Sequence, residues 1–476
     1  MRKINIFCFV ICAVTVLGLL FTPNAMAIGP DMSVSSGCHS ADATITLSDS
    51  GQLAETAKAV ILYERKSDTL LYGWKQDERI YPSSMVKIMT ALVAMEQATL
   101  DQEVTVTKRA LSYVEIGSVS ANLKSGEKLS LKDLMYCMMV GSANDAATVI
   151  AEHIGGGQDR FVDLMNEKAA QLGCTGTHFS NVHGLHDENT YSTARDICRI
   201  TDAALDIPEL KEMFTTECYT VAPTNKTEEP REIWTTNHMM STHSSKKYID
   251  ERITGGKTGA TDEGGRCLVA TSEGKGMEIL SIVMGATPEY EENGLALKRF
   301  GSFEETVVLL DYAYANYEYR QIFYDGQAVS QFPVENGTNG VIARPAISAS
   351  TVLPLGITAD QLTWIYGNSN ITFTAPVEEG QVLSNVQVWY GSKCLAQTDL
   401  VAMNAVPVKT ETEKQDDPAH EEKSSGGIPQ WLIIAVCVAV GLVVLVIGLR
   451  LLSKLLLRAK QNARRRRRRS NRQRSR

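Results

Sequence analysis

Pro82-Ser83-Ser84-Met85-Val86-Lys87 opens a segment in which Met85, Ile88, Met89, Leu92 and Met95 recur on one face of a helix. Ser84 and Lys87 lie three residues apart, so a single helical turn places them on the same side. A serine hydroxyl is a poor nucleophile until a base takes its proton. A lysine is such a base only where burial and nearby positive charge lower its pKa. Read alone, the same four residues fit a serine N-cap followed by a solvated helix lysine.

Two further stretches supply parts that the first lacks. Ser142-Ala143-Asn144 falls between two helical patterns, residues 131–140 and a run starting near Asp145 that ends at Gly155-Gly156-Gly157. A second hydroxyl there suits proton transfer to a leaving amine, and the Asn144 amide suits holding the lysine or a substrate backbone. Alone, the stretch also reads as a helix C-cap at Gly141 and a cap for the next helix. Gly255-Gly256-Lys257-Thr258-Gly259 opens a strand whose glycines allow close backbone approach, with Lys257 and Thr258 offering a cation and a hydroxyl to a carboxylate. Nucleophile with base, relay and carboxylate anchor thus stand in order on the elements their roles require.

With this set the chain resembles the D-alanyl-D-alanine carboxypeptidases, the low-molecular-mass penicillin-binding proteins. Ile80-Tyr81-Pro82-Ser83, Asn144-Asp145-Ala146-Ala147, Asn181-Val182-His183-Gly184-Leu185 and Ser192-Thr193-Ala194-Arg195-Asp196 carry the likeness further. The resemblance implies an α+β fold: a β-lactamase/DD-peptidase-like catalytic domain, its sheet flanked by a helical cluster, plus a small all-β C-terminal domain and a C-terminal transmembrane helix. It implies that Ser84 forms the acyl-enzyme, Lys87 is the base, and Ser142 and Asn144 complete the proton network. Lys257 and Thr258, with Gly259 in the same strand, would bind the terminal carboxylate of a peptidoglycan stem peptide ending in D-Ala-D-Ala. The backbone N–H groups of Ser84 and Ala260 would form the oxyanion hole, and Arg299 in Lys298-Arg299-Phe300 matches an arginine that helps hold the carboxylate in some members.

β-lactam antibiotics are then expected to acylate Ser84, and no cofactor or metal is implied. Val86, Ala143 and Ala260 depart from the commoner threonine, glycine and polar residue, but none removes a reacting group. His183 reads as structural, because Lys87 already fills the base role and no Gly-x-Ser-x-Gly surrounds Ser84. A serine β-lactamase shares the motif set, yet no omega-loop glutamate pattern stands out between Asn144 and Lys257. A non-catalytic penicillin-binding sensor is the third reading, against which the intact reacting groups count.

Charge divides the chain. Residues 1–27 hold Arg2 and Lys3 and no acids, and residues 450–476 hold 13 Lys and Arg and no acids. The span between them keeps 32 of the 47 basic residues and all 55 acidic ones, a net charge of −23, which argues against nucleic acid as a partner. Residues 1–27 read as a signal peptide, with an apolar core and Ala25-Met26-Ala27 as the cleavage pattern. Residues 431–452 read as a membrane helix, since the apolar run 431–449 nearly crosses a ~30 Å hydrocarbon core. The basic tail 453–476 that follows marks the cytoplasmic side, placing the catalytic domain outside a cell membrane as a single-pass protein.

Between these ends the expected order is an N-terminal extension (28–50), the catalytic domain (51–318), a β-sandwich domain (319–407) and a flexible linker (408–430). Residues 59–63 and 69–72 predict a hairpin, residues 267–271 and 279–284 late strands, and residues 158–172, 193–205 and 303–314 helices. In the β-rich domain residues 340–343, 362–366, 371–375 and 386–390 read as strands. Seven cysteines remain between signal and span without CxxC spacing, which suggests neither a zinc site nor a disulfide framework, and Cys137 and Cys267 read as core hydrophobes.

Overall fold

Alternation of apolar residues along Ala59-Val60-Ile61-Leu62 builds the centre of the catalytic domain. Successive side chains of a strand point to opposite faces. Ala59 and Ile61 therefore enter one core with the helical cluster, while Val60 and Leu62 enter a second core on the other face. A computed structural model describes residues 52–243, 246–290, 297–367 and 370–410. The signal peptide, the N-terminal extension, most of the linker, the membrane helix and the basic tail expected from sequence lie outside these residues.

Strands β1 (Ala59–Glu64), β2 (Thr69–Trp74), β3 (Ile253–Thr261), β4 (Gly265–Gly274) and β5 (Met277–Ala286) form one antiparallel sheet in the order β2-β1-β5-β4-β3. Early and late segments of the chain thus share the sheet, and β3, which carries Lys257-Thr258-Gly259, is its edge. Among the described residues seven α-helices precede β3: α1 (Val86–Gln97), α2 (Lys108–Ser112), α3 (Leu131–Met139), α4 (Asn144–Gly155), α5 (Gln158–Gln171), α6 (Ala194–Leu205) and α7 (Pro208–Thr215). On the opposite face α8 (Gly301–Asn316) buries Phe303, Leu309, Leu310 and Ala313. Several helix starts have a local reason. Ser130 and Asp133 make a reciprocal capping box on α3, Thr193 accepts from Asp196 N–H on α6, and Pro208 sits in the first turn of α7.

The C-terminal region is all-β. Strands β6 (Tyr317–Phe323) and β9 (Ala349–Pro354) pair with each other. Strands β7 (Ser330–Phe332), β8 (Val341–Pro345), β10 (Thr363–Tyr366), β11 (Val382–Tyr390) and β12 (Lys393–Ala402) form a second antiparallel sheet in the order β7-β8-β12-β11-β10. The strand expected over 371–375 shrinks to Phe373–Thr374, paired in parallel with Val334–Glu335. Val341, Val352 and Leu400 share one buried cluster with α8 and β1, so the two regions have a common core. Tyr317 Oη donates to the Leu71 carbonyl at 3.0 Å, and Lys393 Nζ to Thr69 Oγ1 at 2.8 Å.

Cys137 and Cys267 are buried free thiols, as a core role requires. Cys394 is disulfide-bonded, which sequence spacing did not reveal. Among the described residues no helix is long and apolar enough to cross a membrane.

Candidate active site

Ser84 does not cap a helix. It sits in a short 3₁₀ turn, Ser83–Met85, ahead of α1, and neither segment has a side-chain cap. Ser83 adopts φ +51°, an unusual conformation for a residue with a side chain. Two long-range contacts surround it. Its hydroxyl lies 3.0 Å from Thr261 Oγ1 at the end of β3, and Gly184, at φ +84°, lies so near that a Cβ there would stand 1.9 Å from the Ser83 carbonyl oxygen. Glycine at 184 is thus a packing requirement of the nucleophile turn.

The turn aims Ser84 at Lys87, whose Nζ lies 2.9 Å from Ser84 Oγ and donates to the His183 carbonyl at 2.6 Å. Lys87 is fully buried. Burial, and then the charge of Lys257, hold its amine well below the ordinary lysine range, against the opposing pull of Asp145. A buried amine whose neutral form is favoured, within hydrogen-bond distance of a hydroxyl, is able to act as a general base.

Ser142 occupies the link between α3 and α4 at φ +61°. Lys257 Nζ donates to Ser142 Oγ at 2.7 Å and to the Thr258 carbonyl at 3.0 Å. Burial lowers Lys257 to about 7. The site therefore holds two hydroxyl–amine pairs, Ser84 with Lys87 and Ser142 with Lys257. Gly259 lets β3 lie against the nucleophile turn, because a Cβ there would meet the Pro82 carbonyl oxygen and Ser83 Cβ at 3.1 Å. Ala260, exposed on the same strand, presents backbone at the unpaired sheet edge. Thr258 Oγ1 hydrogen-bonds Thr236 Oγ1.

Asn144 begins α4, and its N–H donates to the Val119 carbonyl at 2.8 Å. The next residue, which the sequence did not single out for chemistry, braces the loop beside it. The buried Asp145 carboxylate accepts from Ser120 Oγ at 2.6 Å, Ala121 N–H at 2.9 Å and Leu123 N–H at 3.0 Å. His183 matches its structural reading in the side chain, whose Nδ1 accepts from Leu185 N–H and which burial, then Lys87, lowers to about 3. Its carbonyl, however, is a direct partner of the base, and a backbone oxygen leaves no residue-type signal in a sequence.

Among the described residues Arg299 makes no hydrogen bond or ion pair with Ser84, Lys87, Ser142, Lys257 or Thr258. Its Nε donates to Glu304 at 2.7 Å, another guanidinium nitrogen lies 3.7 Å from Glu289, and the side chain is half exposed. The strand pairing of Glu289 with Arg299 sets these partners.

Comparison with known proteins agrees with this geometry. Residues 46–288 match a family described as D-alanyl-D-alanine carboxypeptidase, and residues 317–408 match the C-terminal domain of penicillin-binding protein 5. The D-alanyl-D-alanine carboxypeptidase DacF of Bacillus subtilis is 29% identical over 364 residues, covering 74% of this chain and 86% of its own length. DacC of Escherichia coli, of the same name, is 29% identical over 363 residues, covering 74% and 84%. The solved structure of penicillin-binding protein 5 from Haemophilus influenzae superposes with a TM-score of 0.56 at 28% identity, over 74% of this chain and 98% of that one.

Proposed function

The chain belongs to the D-alanyl-D-alanine carboxypeptidase family, and from that premise we propose how its residues divide the work. The enzyme is a serine-type carboxypeptidase that removes the terminal D-alanine from peptidoglycan stem pentapeptides and is acylated by β-lactams. Ser84 Oγ attacks the carbonyl of the penultimate D-alanine while Lys87 Nζ takes its proton. The backbone N–H groups of Ser84 and Ala260 receive the developing oxyanion. Ser142, held by Lys257, relays that proton from Lys87 to the departing amine by giving its own and taking the one Lys87 carries, and the D-alanine leaves. Asn144 lines the peptide's path, and Lys257 and Thr258 receive the terminal carboxylate. Water then resolves the acyl-enzyme, with Lys87 again as base.

The observation that carries this assignment is the fully buried Lys87 amine, 2.9 Å from Ser84 Oγ, with its pKa pushed down. The test is D-alanine release from diacetyl-Lys-D-Ala-D-Ala by the purified chain in detergent, beside Ser84→Ala. Release that vanishes in the variant is the expected outcome. Rapid penicillin hydrolysis without release would favour a β-lactamase, and stable penicillin attachment without release a sensor.

The proposed location is the outer face of a cell membrane, with residues 431–452 as a single span and 453–476 inside. The apolar run and the charge that follows support it. A tether keeps the enzyme concentrated beside an insoluble substrate without any added contact. Residues 51–318 would form the catalytic domain and 319–407 the all-β domain that carries it.

A further inference from the structure

The carboxylate end of the site needs a permanent cation, and the sequence candidate is committed elsewhere: Arg299 is held by Glu289 and Glu304. The register of β3 against β4 brings in a second guanidinium. Arg266 stands directly opposite Ala260, and Leu268 opposite Thr258. Alternation along a strand places all four on one face of the sheet. Thr258 is then the diagonal neighbour of Arg266, a spacing of about 7–8 Å that long side chains bridge.

The side chain's position agrees. Arg266 Cζ lies 5.7 Å from the Phe300 ring centroid, and that ring lies 5.3 Å from His238, two residues beyond Thr236, the partner of Thr258. Several other partly buried arginines are held by acids: Arg65 by Asp202, Arg231 by Glu127, Arg252 by Asp250. Among the described residues no carboxylate forms an ion pair with Arg266. A guanidinium is a fork suited to a carboxylate, and it keeps its charge in any environment.

We propose that Arg266 is a carboxylate-binding residue, pairing from the neighbouring strand with the C-terminal carboxylate of the stem peptide seated at Thr258. The inference rests on the carboxypeptidase reading above. It also answers an electrostatic need: with Lys257 lowered to about 7, much of its charge is absent from the empty site at neutral pH, whereas Arg266 stays cationic.

The test is steady-state release of D-alanine by the full chain, comparing wild type with Arg266→Gln, Arg266→Met, Arg266→Lys and Arg299→Gln. Arg266→Met keeps an apolar stem against Phe300 and removes only the charge, so it serves where Arg266→Gln folds poorly. Removing the charge should raise KM about 10- to 100-fold, the range of a charge-assisted hydrogen bond, with kcat changed far less. Arg266→Lys should recover part of the loss, and Arg299→Gln should match wild type. Unchanged KM in the neutral variants, or a fall in kcat with KM kept, overturns the assignment. Wild-type turnover reports separately on the parent reading.

Discussion

Replacing Lys257 with methionine should make the protein more stable below about pH 8 while abolishing its chemistry. Lys257 is 1% exposed, and burial takes its pKa from 10.5 to about 7. Above 10.5 both folded and unfolded chains carry it neutral. As pH falls from 10.5 toward 7 only the unfolded chain gains the proton, so folding stability is lost across that window and the loss is complete below it. At about 1.36 kcal/mol per pH unit the full penalty is on the order of 5 kcal/mol. Methionine removes it but leaves the Ser142 hydroxyl without its donor, which costs about 1–3 kcal/mol. The variant should therefore exceed wild type by roughly 2–4 kcal/mol at pH 6, match it near pH 9 and fall below it at pH 10.5. Relief of the buried Lys87, which the Lys257 charge depresses, acts in the same direction. Guanidinium unfolding of both proteins at pH 6, 7.5, 9 and 10.5 reads the difference. A stability difference that stays flat over this range would refute the reasoning, because desolvation of a titrating lysine cannot be independent of pH.

Two further substitutions probe the support around the reacting atoms. Gly184→Ala forces a side chain into a φ of +84° with Cβ 1.9 Å from the Ser83 carbonyl oxygen. Displacing that turn by a fraction of an ångström to an ångström should slow labelling by a fluorescent penicillin about 100-fold, and labelling within threefold of wild type would count against it. Asp145→Asn weakens the three hydrogen bonds that hold residues 120–123 and should cost about 1–3 kcal/mol of stability. It also deletes a charge that holds the Lys87 pKa up, so the acid limb of the kcat/KM profile should move to lower pH. A limb that stays put or moves up would contradict that role.

What the sequence disclosed follows physical range. Ser84 with Lys87, Ser142 with Asn144, and Lys257 with Thr258 are legible because each pair spans at most one turn of helix or two steps of strand. The hairpin β1–β2 and helices α1, α3, α4, α5, α6 and α8 follow from apolar periodicity that the core then uses. The φ of Ser83 was hidden, since the turn is shaped by Gly184 and Thr261, 101 and 178 residues away. Helix α7 escaped although Pro208 at its start was a usable signal. Strand β12 mixes Lys393, Gln397 and Asp399 with its apolar residues, which masked its alternation. Arg299 was placed by analogy of motif, while its real position is fixed by pairing across β-strands to Glu289.

The two lysines explain each other. Two ammonium groups confined to one dry site would repel strongly, because a low dielectric amplifies their interaction. Burial resolves this by favouring the neutral form of each amine. Lys87 is lowered by burial and further by the Lys257 charge, which suits it to act as the base beside Ser84. Lys257 touches a hydroxyl and a carbonyl at the strand where the peptide's carboxylate is proposed to arrive. An arriving carboxylate stabilises the protonated form of Lys257, raising its pKa from about 7. That restored charge further depresses Lys87, the direction in which Lys257 already acts. The carboxylate's own charge pulls Lys87 the other way, so the Lys257 charge it restores offsets its effect on the base. A substrate lacking the carboxylate loses an anchor and also leaves Lys257 at its lowered pKa, with less charge to offer the site.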